Sequence, residues 1–199
     1  MVFEVVARAP GAPRCKLEAQ LIKDGQFTEH FGLVARERLK HELEEQIERQ
    51  RNQRGVTCFA ESYTDLLMWA HYANGHRGFC LEFDTRAEFF SKAIQVIYST
   101  DFPQLGPREI FDKDPTALVQ ALIATKSVCW SYEQEWRVGH VEPGKNYGYG
   151  DALTGIYLGA VMPEEDVSVI RELFRNTPTR VYRMILSTTS FSVSAVPLE

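Results

Sequence analysis

Apolar and polar side chains alternate strictly along Arg77-Gly78-Phe79-Cys80-Leu81-Glu82-Phe83-Asp84. A period of two predicts a strand with Phe79, Leu81 and Phe83 turned inward and Glu82 and Asp84 on the opposite face. Val56-Thr57-Cys58-Phe59 reads as a buried strand, and Ile94 to Tyr98 as another, reached through a short helical turn at Ala87 to Phe90. Before the alternating strand, Ser62-Tyr63-Thr64-Asp65 has the S-x-x-D form of a capping box, which makes Asp65 a candidate cap. Asp65, Met68, Trp69 and Tyr72 then share one face of a short helix. Further strands are predicted over residues 154 to 158, 181 to 186 and 191 to 196, the last two closing a hairpin about Ser187-Thr188-Thr189-Ser190.

Longer periods mark the helices. From residue 28 to 54 there is no proline and one glycine, and Leu39, Leu43 and Ile47 recur every four residues, which predicts a long helix. Its remaining surface mixes glutamates with lysines and arginines, as a solvated face does, and its stripe is also a candidate seam for a second copy of the chain. Asp114-Pro115 opens a helix running to about Lys126 on Leu118, Val119, Leu122 and Ile123. Pro163-Glu164-Glu165-Asp166 opens another, with Val167, Ile170, Leu173 and Phe174 toward the core. Residues 1 to 27 read as an edge strand at Val2 to Val6 followed by a loop through Pro10-Gly11-Ala12-Pro13, and residues 28 to 199 as a single domain. Several links between strands are too short for parallel crossovers. The expected class is α+β, with a mixed, mainly antiparallel sheet, a long N-terminal helix and several packed helices.

Composition narrows the functions. The chain has 199 residues, 44% hydrophobic and 25% charged, which is ordinary globular composition. A net charge of −5 argues against general nucleic-acid binding. No apolar run approaches a membrane span and the start lacks a secretory signal, so a cytoplasmic protein without a membrane partner is expected. The four cysteines, Cys15, Cys58, Cys80 and Cys129, have neither zinc nor disulfide-framework spacing. Cys58 and Cys80 sit in apolar runs as small hydrophobes.

The richest chemistry lies in Trp130-Ser131-Tyr132-Glu133-Gln134-Glu135-Trp136-Arg137. On a strand, Glu133, Glu135 and Arg137 share one face, and Tyr132 and Trp136 the other. Neighbouring carboxylates raise each other's pKa while an arginine keeps at least one ionised, leaving an anion able to support a cationic transition state. Glu133 and Glu135 are therefore the candidate catalytic residues. Trp69, Tyr72, His76, Trp136 and Arg137 are candidate ligand-binding residues, the rings as a stacking platform and Arg137 as a phosphate contact or partner of the acids. Each has a plainer reading: the charges as a Glu-Arg ladder pinning the sheet, the aromatics as core, His76 as an exposed turn residue after Asn74-Gly75. His71 and His76 lie off the spacing of a helical metal pair, so no metal is expected. The glycines at 144, 148 and 150 match no phosphate-binding fingerprint and describe a mobile loop or a lid. No G-x-S-x-G elbow occurs, and Cys129 has no activating neighbour in sequence.

Cys58-Phe59-Ala60-Glu61, Met68-Trp69-Ala70-His71-Tyr72, His76-Arg77-Gly78-Phe79-Cys80-Leu81-Glu82-Phe83-Asp84, and Lys126 followed by Trp130 to Arg137 together resemble a widespread bacterial family of domains of unknown function. The resemblance spans about residues 56 to 160. Members typically open on a tyrosine-containing strand and an Asn-Asp-Pro turn, absent from residues 1 to 55, so this chain reads as a divergent or shortened member. The order of an aromatic helix, an acidic-ended strand and a later strand-borne glutamate is also similar to ADP-ribosyltransferase-like domains. That analogy implies NAD as a substrate, Glu135 or Glu133 as the catalytic carboxylate, and Tyr72 or Trp69 as the stacking ring. No cofactor is evident otherwise. Two functions compete: an enzyme acting on a small nucleotide-type ligand, or a non-catalytic ligand-binding or protein-interaction module that forms a homodimer through residues 28 to 54. Under the first, Glu135→Gln should abolish turnover with little change in melting temperature.

Overall fold

The computed structural model describes residues 2, 3, 37, 38, 40–42, 44, 45, 47–49, 52–103, 121 and 123–198. Helical backbone occurs at the described positions between 37 and 49, but the long helix as a whole, with Leu39 and Leu43, lies outside the described residues. So does the dimer seam assigned to it, and so do the loop after the first strand and most of the helix expected from Asp114.

Within the described residues the chain runs through β1 (Val2–Phe3), β2 (Gly55–Ala60), α1 (Leu66–Tyr72), β3 (Phe79–Phe83), β4 (Ile94–Gln95), β5 (Ile97–Ser99), β6 (Thr125–Ser127), β7 (Glu135–His140), β8 (Leu153–Leu158), α2 (Glu164–Phe174), β9 (Arg180–Leu186) and β10 (Val193–Pro197). Three sheets form, in the orders β1-β3-β8-β9-β10, β2-β7-β4 and β5-β6. Pairing is antiparallel except β8 with β9 and β5 with β6. α2 lies in the crossover between β8 and β9, since parallel neighbours cannot be joined by a tight turn. Helices and mixed, mainly antiparallel sheets thus agree with an α+β class.

The five-stranded sheet is covered on both faces. Cys80, Tyr157, Met184 and Val193 pack with Met68 and Trp69 of α1. Ile156 and Leu158 pack with Val167 of α2, joined by Phe79, Leu81 and Val181. This corrects the one-sided reading of β3: Cys80 is fully buried, and Glu82 on the same face accepts the Tyr157 hydroxyl at 3.0 Å. Alternation in sequence distinguishes two faces but does not say that one is wet. Two other expectations fail locally. Leu173 is 69% exposed, and Phe191 lies in the hairpin turn outside β10, fully exposed.

The cap expected at Asp65 is present, although the capping box with Ser62 around it is not. Asp65 is itself the N-cap, accepting the Leu67 and Met68 amides at 2.8 and 3.0 Å, while Ser62 accepts the Thr64 amide before the helix. The helix ends in three successive residues of positive φ, Asn74, Gly75 and His76. Several backbone bonds hold that turn, among them the His76 amide to Trp69 O at 3.1 Å, the Arg77 amide to Ala73 O at 2.9 Å and the Val161 amide to His76 O at 3.0 Å. Gly159 makes this approach feasible, because a Cβ there would overlap the His76 carbonyl.

Candidate functional site

The segment read as one charged strand is two elements. A 3₁₀ turn spans Val128–Glu133, Gln134 takes the left-handed conformation at φ 44° and ψ 55°, and β7 starts at Glu135. Glu133 and Glu135 therefore converge through a reversal in the backbone, not through strand periodicity. Arg137 follows on the Glu135 face of β7, opposite Cys58 of β2. Lys126 lies in β6, beside Tyr98 of β5, and not at the end of a helix.

Four charges meet here. Arg137 holds Glu135 through two bonds, Nε to Oε1 and Nη2 to Oε2, both 2.9 Å. Lys126 Nζ donates to Glu135 Oε2 at 3.1 Å and also to Glu133. The Tyr72 hydroxyl donates to Glu133 Oε1 at 2.7 Å. Arg137 also donates to the Ile123 carbonyl, and the Glu135 amide donates to the Tyr98 hydroxyl at 2.9 Å. Only 3% of Glu133 and 5% of Glu135 is exposed. Two acids and two bases are thus neutralised inside the fold.

The electrostatics follow. Burial pushes the Glu135 carboxyl up, but the Arg137 bonds, the Cys58 thiol and the Arg137 and Lys126 charges outweigh it and bring it down to about 2. Burial lowers Lys126, and its bonds and charge interactions with Glu133 and Glu135 raise it by more. The Cys58 thiol is pushed up to about 12, first by burial and then by the Glu135 charge. Tyr72 is raised by burial and by its bond to Glu133. Glu135, Lys126 and Arg137 are thereby held in their charged forms, with inert thiol and phenol groups beside them. A carboxylate accepts about four bonds. Glu135 takes three donors with the thiol alongside, whereas Glu133 takes two and keeps acceptor capacity.

An aromatic surface borders the cluster. Lys126 Nζ lies 5.3 Å from the centre of the Trp130 ring, and Trp130 is 40% exposed. His71 and Tyr132 stand 6.3 and 6.0 Å from Trp130. These rings are free to meet a solute in a way that Trp69 is not.

Of the candidate residues, Glu133, Glu135, Arg137 and Tyr72 come together. Trp69 does not join them: it is completely buried, its Nε1 donates to Tyr63 O at 2.6 Å, and it belongs to the core under the five-stranded sheet. Trp136 faces away on β7, pairs with Phe59 and donates to Glu61 at 2.7 Å. His76 stacks on Trp69 with ring centres 6.4 Å apart, and its Nδ1 is buried without a hydrogen-bond partner. The glycine loop is tied down by Tyr147, which stacks on His140 and donates to the Glu142 carbonyl at 2.9 Å. Sequence reading missed the roles of Lys126, Tyr98, Cys58 and Trp130. Lys126 and Trp130 stand in the motif itself, while Cys58 and Tyr98 enter only through strand register.

Among the described residues no group of three or more His, Cys, Asp or Glu is placed to hold a metal ion, and no helix is long and apolar enough to cross a membrane. A family model described as a protein of unknown function (DUF2971) matches residues 68–138. That stretch is narrower than the expected one, yet it contains Tyr72, Tyr98 and all four charges of the cluster. No curated protein and no solved structure matches the chain.

Proposed function

We propose that the chain is an enzyme acting on a nucleotide-type ligand at the Lys126-Glu133-Glu135-Arg137 cluster, with NAD as the substrate and chemistry of the ADP-ribosyltransferase-like kind. The observation that carries the reading is a pair of buried glutamates bonded to Lys126 and Arg137 beside an aromatic surface left in solvent. Buried ion pairs gain little stability over a well-packed apolar replacement, because both charges lose their hydration. Such a network at the edge of exposed rings supports a role in positioning charge.

In this reading Trp130, with His71 and Tyr132, stacks a base or nicotinamide ring, in place of Trp69. Glu133, with unused acceptor capacity, faces the ribose and stabilises positive charge at C1′. The electrons of the C1′–N bond leave with neutral nicotinamide, and an acceptor oxygen closes on C1′ and loses its proton to solvent. Glu135 and Arg137 are positioning residues that fix Lys126 and, through it, Glu133.

A second reading draws on the neutrality of the cluster: every charge has a partner within the fold, as a purely structural network would have. The two separate on one experiment. Titrating the protein with NAD and ADP-ribose, followed by tryptophan fluorescence and by release of nicotinamide, should show binding that Trp130→Ala weakens with melting temperature unchanged. No binding up to about 1 mM, the upper range of ordinary KM values, leaves the structural reading standing. The binding-module alternative requires a ligand bound with no nicotinamide released, or a dimer in sedimentation.

A further inference from the structure

We propose that β10 is a dimer edge: it pairs antiparallel with β10 of a second copy of the chain, about a two-fold axis at Ser194, and joins the two five-stranded sheets into one. β10 is the last strand of its sheet and pairs on one side only among the described residues. An open edge presents a row of unpaired N–H and C=O groups, and folded proteins normally blunt it with charged side chains. Here the whole closing segment, Ser187 to Leu198, carries no charged residue in a chain that is 25% charged. Its surface is apolar as well, with Phe191 and Val196 exposed.

The backbone fixes which groups point outward. The Ser187 amide donates to Ser192 O at 3.0 Å and the Leu198 amide to Val181 O at 2.9 Å. Both pairs continue the register of Ser194 with Ile185 and Val196 with Arg183. Hydrogen-bonded and open pairs alternate along an antiparallel ladder, so residues 192, 194, 196 and 198 bond to the β9 side. Val193, Ala195 and Pro197 turn their backbone groups away from it. A proline in that outward set costs the sheet no bond.

The outward row is complementary to itself. With Ser194 opposite Ser194 of the second copy, Val193 meets Ala195, and the two residues exchange both amide–carbonyl bonds on each side of the axis. The same register sets Phe191 against Pro197 of the second copy, where the Phe191 amide reaches the proline carbonyl. Val196 comes beside Ser192 and Ser194 of the second copy. Both exposed apolar side chains of the segment thereby gain a neighbour. Charge favours a second copy over a foreign strand. At a net charge of −5 two copies repel through most of their surface, and a neutral edge is where they approach without adding to that repulsion. A foreign partner recognised by charge finds no counter-charge on this strand.

The test is sedimentation equilibrium of the whole chain and of variants at the axis. Wild type should dimerise weakly, as a small transient interface does. Ser194→Lys and Ser194→Glu each place like charges opposite one another and should weaken the dimer about tenfold or more, while an equimolar mixture of the two variants should restore it. Ala195→Pro removes an outward donor from each copy without touching a bond to β9, and should weaken it about tenfold. Ser194 is exposed, so melting curves of its variants in dilute solution should match wild type, and a dimer restored by mixing itself requires folded chains. A chain that stays monomeric to about 1 mM overturns the proposal. So does a dimer indifferent to all three variants, as a seam in residues 28 to 54 would give, or a weakening that mixing does not reverse. A monomer that instead takes up a neutral alternating Thr-Val peptide assigns the edge to a foreign strand and overturns it too. A dimer that these variants abolish lends nothing to the binding-module alternative, whose seam lies in residues 28 to 54, and it stands whether the charge cluster is catalytic or structural.

Discussion

Replacing Glu135 by glutamine removes the anion that Arg137 grips with two bonds and Lys126 with a third. The folded carboxyl sits at about 2 against an ordinary value of 4.5. A depression of that size corresponds to about 3 kcal/mol of stability carried by the ionised form. The same order follows independently from the cost of breaking one partner of a buried pair, about 3 to 5 kcal/mol. The sign is set by the direction of the shift. A depressed carboxyl contributes fully above its unfolded value near 4.5 and loses that contribution as pH falls toward 2. Urea denaturation of wild type and Glu135→Gln at pH 7, 5 and 3 should therefore give a difference of about 3 kcal/mol that shrinks on acidification. The melting temperature should drop by about 6 to 12 °C in a chain of this length. A loss at pH 7 below about 1 kcal/mol, or one of constant size down to pH 3, refutes the account of a buried, ionised Glu135. The outcome also bears on catalysis. Lost turnover in Glu135→Gln is no evidence of a chemical role unless the protein is still folded, contrary to the expectation of a near-normal melting temperature.

Three further outcomes probe the surrounding structure. A double-mutant cycle on Glu135→Gln and Arg137→Met should give a coupling energy of roughly 1 to 3 kcal/mol, and additive effects would show that the two side chains do not depend on each other. Asp65→Ala removes the acceptor of two amides at the start of α1 and should cost about 1 kcal/mol in chemical denaturation, whereas Ser62→Ala should cost less, reversing the order a capping box predicts. Alkylation at pH 8 followed by peptide mapping should modify exposed Cys129 while sparing Cys58 and Cys80, whose thiols burial pushes up to about 12. Rapid labelling of either in native protein contradicts their placement.

Much of the site was legible because its residues crowd into one short motif. Glu133, Glu135 and Arg137 announce a charged group by composition alone, and Tyr72 follows from helix periodicity four residues after Met68. Their geometry was not legible. A left-handed Gln134 is no more visible in the sequence than any other polar residue, yet it turns a presumed strand into a turn and a strand. Trp69 and Tyr72 lie on the same helix only three residues apart. A rotation of that size sends Trp69 into the core and leaves Tyr72 reaching Glu133.

The sequence by itself determined the local elements: the alternating strand at Phe79–Phe83, the short helix Leu66–Tyr72, the acidic start of Glu164–Phe174 and the closing hairpin. Each depends on side chains within one or two turns of each other, where periodicity and capping act. The tertiary structure decided which charges pair, because Lys126, Glu133, Glu135 and Arg137 meet only when β6 lies beside β5 and β7 lies between β2 and β4. Whether a glutamate ends beside an arginine or in water is set by burial and by contacts between distant segments, and no local pattern encodes it.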